Sequence, residues 1–95
     1  MAEREAVEVI LEHGFEDEVK NERVTVLRIV KPRVKELRRA GEAAKGKGGI
    51  EETRQLLAQC TGRDPAALDA MEIDDFQQCA DVLARLMGGD SADPS

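Results

Sequence analysis

Hydrophobic and polar positions alternate at the start of the chain. In AVEVILE, Val7, Val9 and Leu11 fall on one side and Glu8 and Glu12 on the other, with Ile10 the exception. A period of two predicts a strand. After the polar, Gly-containing segment HGFEDEVKNE, a second β-branched run from Val24 to Val30 predicts another strand, apolar on both faces near its end. The two runs imply an antiparallel hairpin within residues 6–30. Its loop would be roughly eight to ten residues, longer than the common two to five. Two strands alone are not stable in water, so other elements must cover them.

Beyond Val30 the apolar spacing changes from two to three or four. Pro32 closes the second strand and suits the first turn of a helix, where its missing N–H costs nothing. RVKELRRAGEAA then places Val34, Leu37 and Ala40 or Gly41 on a narrow apolar stripe, with Arg33, Lys35, Arg38 and Arg39 on the other face. GKGGI is a flexible connector. IEETRQLLAQCTG predicts the next helix, with Glu51 and Glu52 in the first turn and Ile50, Thr53/Arg54, Leu57 and Cys60/Thr61 along one face, widened by Leu56. Gly62 is its left-handed stop. Asp64 caps a short helix that has Pro65 at its first position and runs through Leu68 to end near Met71. A last helix is predicted from Asp74, whose spacing to Gln77 is that of a capping box. It carries Phe76, Cys79/Ala80, Leu83 and Leu86/Met87 on one side and stops at Gly88-Gly89.

The expected architecture is α+β, an N-terminal antiparallel β-hairpin packed against a small bundle of about three to four helices. One domain spans residues 1–89, with the helices within 32–88 and a disordered tail over 90–95. A chain of 95 residues makes a small domain with a thin stability margin. Phe15 and Phe76 are its only aromatics, so the core is aliphatic. No run of 18 uncharged apolar residues is present, and the acids of MAEREAVEVILEHG do not suit a secretory signal, so a cytoplasmic protein is expected. Cys60 and Cys79 form no CxxC and have only one His to join them, so both are read as reduced packing residues.

The net charge of -6 is unevenly distributed. Residues 1–27 carry three Lys/Arg against eight Asp/Glu, residues 28–47 eight against two, and residues 48–95 three against ten. The basic centre, Arg28, Lys31, Arg33, Lys35, Arg38 and Arg39, is a candidate contact for an acidic partner or a neighbouring subunit. The acidic whole and the lack of aromatic stacking residues argue against nucleic acid. His13 reads as an exposed hairpin-loop residue. Asp74-Asp75 and Glu51-Glu52 read as helix-start acids rather than acid/base pairs, because adjacent helix positions do not face each other. GKGG lacks phosphate-loop spacing, and no metal, cofactor or nucleophile motif is present, which points away from an enzyme.

The order strand, strand, Pro-led basic helix, then helix followed by Thr-Gly, Pro, Leu-Asp and Asp-Phe resembles the short tail assembly chaperones of contractile-tailed, Mu-like bacteriophages and prophages. Two blocks carry the likeness, VTVLRIVKPRVKEL (Val24–Leu37) and LLAQCTGRDPAALDAMEIDDFQQCADVL (Leu56–Leu83), just under half the chain together. The second is the more specific, through Thr61-Gly62, Pro65, Leu68, Met71, Ile73 and Asp75-Phe76. Members often have Pro soon after the first strand, where this chain has EHGFED, and more often Asp where Glu36 stands.

The resemblance implies a non-catalytic chaperone in the cytoplasm of the bacterial host, without cofactors, that binds the tape-measure protein and assists assembly of the tail tube. The tail tube protein and a frameshift-extended form of the chain itself are further partners it implies. Leu83, Leu86 and Met87 are candidate contacts for a partner helix, although the same spacing also suits a core. Two other functions fit the sequence, a small nucleic-acid-binding regulator using the Arg28 to Arg39 stripe and a structural tail subunit. Self-association would help a core this small.

Overall fold

The computed structural model describes residues 4–88. β1 (Ala6–Asp17) and β2 (Glu22–Val30) form an antiparallel two-stranded sheet. Four helices follow, α1 (Val34–Ala43), α2 (Gly49–Thr61), α3 (Pro65–Leu68) and α4 (Ile73–Leu86). The chain is thus the expected α+β arrangement of a hairpin and helices.

The hairpin spans residues 6–30 as expected, but the loop between its strands is shorter than predicted. Pairing runs from Ala6 opposite Val30 to Ile10 opposite Val26, then resumes with Phe15 opposite Val24 and ends with Asp17 opposite Glu22. Leu11 to Gly14 therefore face Thr25 alone, a bulge that disrupts the ladder and bends the strand. The predicted eight-to-ten-residue loop is really a four-residue turn over 18–21, with the surplus chain taken up by the bulge. His13 accordingly lies in β1, exposed, and not in the hairpin loop. Asp17 fixes the turn. Its buried carboxylate accepts the amides of Val19 and Lys20, both at 3.0 Å, and Asn21 takes the left-handed φ of 59° that closes it. Arg63 bonds Asp17 at 2.7 Å and reaches across to Glu22, pinning the hairpin tip to the α2–α3 corner.

One face of the sheet is core. Val9, Leu11 and Phe15 of β1 and Val24, Leu27 and Ile29 of β2 are buried beneath the helices. Glu8, Ile10, Val26 and Arg28 are exposed. In β2 the inward spacing breaks period two between Val24 and Leu27, opposite the bulge, which explains apolar residues on both of its faces. α2 lies at the centre, touching β2, α1, α3 and α4, while α4 covers both strands. Leu57, Cys79 and Leu83 are at most a few per cent exposed and form the middle of the core. Both cysteines are buried and unpaired, as expected.

Several helix details are corrected. α1 rests on α2 and on no other helix or strand, and it turns Glu36 and Ala40 inward. The predicted stripe holds at Ala40, but Val34 and Leu37 are exposed. The cause is Glu36, whose carboxylate accepts from Arg4 at 2.7 Å and from the Arg33 amide at 2.6 Å, tying the helix start to the segment before β1. α2 buries Leu56, Leu57, Ala58 and Cys60, and Ile50 in its first turn stands in solvent. α4 begins at Ile73 with Glu72 at its cap, and not at Asp74.

Pro32 lies before the Arg33 cap and not in the first turn of α1, and α3 ends at Leu68 and not near Met71, while the other punctuation is as predicted. Gly62 has φ 72°, and Asp64 accepts the Ala66 amide at 2.9 Å with Pro65 first in α3. Gly88, with φ 85°, follows the end of α4. The expected disorder of residues 90–95 concerns positions outside those described. No helix among the described residues is long and apolar enough to cross a membrane.

Candidate partner-binding groove

α4 presents three faces. Asp75, Cys79, Leu83 and Leu86 point into the fold, and Gln78 and Arg85 face solvent. The third face, Ile73, Phe76, Ala80, Ala84 and Met87, lies alongside α2. Three adjoining clefts follow this border. One is lined by Leu37, Thr53, Leu56, Ala80, Leu83 and Met87 among others, and the next by Gly49, Ile50, Thr53, Phe76 and Ala80. The last is lined by Ile50, Leu68, Met71, Ile73 and Phe76. Shared residues make them one trough.

The trough has a shape set by side-chain size. Gly49, Thr53, Ala80 and Ala84 leave its middle open, while Ile50, Ile73 and Phe76 wall one end and Leu37 and Met87 the other. Ile50 and Ile73 are 78% and 76% exposed, far from the burial such side chains usually reach in a monomer. A contiguous apolar surface with a polar rim is the usual mark of an interaction site.

The rim is acidic. Glu52 and Asp81 line the clefts, and neither carboxylate is hydrogen bonded or ion paired among the described residues. Asp69 stands at the Ile73 end, held by Arg54 at 2.7 Å. Arg54 also bonds Glu51 at 2.7 Å, so the one cation lining the trough among the described residues is paired on both sides. The hydrogen bond from Gln55 holds the Glu51 carboxyl below its ordinary range, and the Arg54 charge adds to it.

The sequence candidates fall in different places. Met87 is an exposed wall of the trough, Leu83 is a buried part of its floor, and Leu86 is buried in the core. The basic residues do not enter the trough. Lys35, Arg38 and Arg39 lie on the exposed side of α1, Lys31 and Arg33 in the link before it, and Arg28 on the outer face of the sheet opposite Glu8. None of these six side chains is paired with an acid among the described residues.

A second cluster lies at the bulge. The Asp75 carboxylate, 1% exposed, accepts the amides of Glu12, His13 and Gly14 at 2.8, 3.0 and 3.2 Å. The bulge N–H groups, which lack ladder partners, are thus satisfied from a helix more than sixty residues away in sequence. Beside it, His13 Nε2 lies 2.9 Å from Asp74 Oδ2. This bond raises the His13 pKa above its usual value and lowers that of Asp74. Glu12, His13 and Asp74 bring one potential metal-ligating atom each within 4.8 Å of one another. All three are exposed, and the histidine is already satisfied by the ion pair, so the arrangement works as a surface latch.

Sequence reasoning placed Asp74 and Asp75 at a helix start and missed their work on β1. Their one local signal was adjacency, which also suits capping. Glu36 and Asp17 were missed as well, since each acts through a distant arginine. The thiols offer no nucleophile. Burial pushes Cys60 and Cys79 up to about 11, so both stay protonated and shielded near neutral pH.

Comparison with known proteins gives one result. The family model described as phage tail assembly chaperone proteins, E, or 41 or 14, matches residues 8–88. No curated protein and no solved structure gives a significant match.

Proposed function

The chain belongs to the phage tail assembly chaperone family, and from that premise we propose that it binds the tape-measure protein during tail assembly. In this reading it works without catalysis, in the cytoplasm of the bacterial host, covering apolar segments of that long chain until tail tube subunits collect around it. The observation that carries the proposal is the α2–α4 trough, an apolar surface left open on a small domain whose own core is already closed. Exposed Ile and Met at its ends offer adaptable contact to a sequence-diverse helical partner. The six unpaired basic side chains around α1 supply a separate surface for an acidic partner, such as the tail tube protein or an extended form of the chain.

Co-expression tests the proposal. The tape-measure protein of the same phage should move from the pellet to the soluble fraction and copurify with the tagged chain. If its solubility is unchanged and nothing copurifies, the reading fails. Finding the chain retained in purified tails would replace it with a structural subunit.

A further inference from the structure

We propose that the occupant of the α2–α4 trough is an amphipathic helix of about four turns whose aliphatic strip is flanked by lysine or arginine. The inference rests on the chaperone reading for its biological setting but draws its chemistry from the trough alone.

Length comes first. Ile73 to Leu86 spans fourteen residues of helix, about 21 Å at 1.5 Å per residue. A partner helix laid along it presents one apolar residue per turn, at i, i+3 or i+4, i+7 and i+11. The small side chains in the middle let its backbone come close, and Ile73 and Met87 at the ends receive its larger side chains. A strand would fit poorly, because helices α2 and α4 wall the trough and no sheet edge lines it.

Charge then selects among helices. Glu52 and Asp81 stand unpaired on the rim, and Arg54 is held by Glu51 and Asp69. A helix with acidic flanks would meet like charge on docking, whereas lysine or arginine would meet unpaired carboxylates. The same argument excludes the chain's own C-terminal residues. Gly88–Ser95 carries two aspartates and no large apolar side chain, so it supplies neither the strip nor the sign.

The test uses the full chain and three synthetic 18-residue helical peptides that share one Leu/Ala strip and differ only in flanks, all Lys, all Gln or all Glu. Binding is read by fluorescence anisotropy at low and moderate salt. The Lys peptide should bind about tenfold more tightly than the Glu peptide near 50 mM salt, the gap shrinking several-fold by 300 mM as the rim charges are screened. The double change Glu52→Lys with Asp81→Lys should reverse that order. Ala84→Arg, at an exposed position that leaves the core intact, should weaken the Lys peptide by about tenfold or more through steric filling and repulsion. Amide shifts on binding should fall on α2 and α4.

Equal binding of all three peptides, or a preference untouched by the rim reversal, overturns the inference. So does concentration-dependent self-association abolished by Ala84→Arg, which would make a second copy the occupant. The two proposals separate cleanly. If the tape-measure protein is solubilised equally well by the Ala84→Arg chain, the chaperone reading stands and the trough inference falls. If the peptide preference holds but the tape-measure protein stays insoluble, the reverse is true.

Discussion

Asp75→Ala should be among the most damaging single substitutions in this protein. The carboxylate is 1% exposed and accepts three amides of the bulge, at 2.8, 3.0 and 3.2 Å. Hydrogen bonds to a charged group contribute about 1.5–3 kcal/mol each, and a buried donor left without a partner costs about 1–3 kcal/mol. The Gly14 amide is buried and would be orphaned, while the Glu12 and His13 amides are partly accessible and would recover some of their loss from water. The net effect works out at roughly 3–5 kcal/mol, against a total of about 5–15 kcal/mol for a typical domain. At about 4–8 °C per kcal/mol for a chain of this size, the midpoint of thermal unfolding should fall by roughly 12–40 °C. Asp75→Asn keeps one acceptor oxygen and should lose roughly half as much.

Circular dichroism melts and urea titrations measure the loss, and hydrogen exchange at residues 12–14 locates it. Asp74→Ala is the control, an exposed neighbour whose removal should leave the melting curve close to that of the parent. If Asp75→Ala lies within about 1 kcal/mol of the parent and exchange at Glu12, His13 and Gly14 is unchanged, the carboxylate does not organise the bulge.

Four further outcomes are expected. Gly14→Ala should destabilise by about 2 kcal/mol or more in urea unfolding, because φ is 76° and a Cβ would stand 2.8 Å from the Val24 carbonyl oxygen. The His13 ring should titrate above 6.5 by NMR and move back toward it in Asp74→Asn. Its raised folded pKa stabilises the fold below the unfolded value, and that contribution disappears as pH rises through the folded pKa. Glu36 is depressed by its bond from Arg4, then by the Arg33 amide, and Asp17 by the Lys20 amide, then by Arg63. Their contribution is present above the unfolded carboxylate range and lost as pH falls through the folded values, so acid melts should show stability dropping below about pH 4, and Arg4→Gln should flatten that slope. Finally, Cys60 and Cys79 should resist a thiol reagent at pH 8 while folded and react together on adding urea, and fast labelling of the native protein would contradict their burial.

The order of elements was legible in the sequence because its signals are local. Gly62, Asp64-Pro65 and Gly88 act on their own backbone within a few residues, so these stops and this start were found where they were expected, whereas Pro32 ends β2 but stands ahead of the Arg33 cap and outside α1. The core of α2 and α4 followed from helical spacing, since Leu57, Cys79 and Leu83 have no other apolar surface to join. The length of the hairpin's loop could not be read this way. An extended run and a bulged run have the same composition, and the choice was made by Asp75, some sixty residues away, supplying acceptors for amides that no strand could reach.

Val34 and Leu37 show the same limit from the other side. Their spacing predicts burial, but α1 docks on α2 alone, and Arg4 draws Glu36 inward in their place. The trough likewise depends on how α2 and α4 lie beside each other, with small residues meeting in the middle. What the sequence determined by itself was therefore the punctuation and the central apolar residues, which depend on neighbours along the chain. The bulge, the buried acids and the open apolar surface were decided only in three dimensions, because each depends on which distant partner satisfies a polar group or leaves an apolar one uncovered.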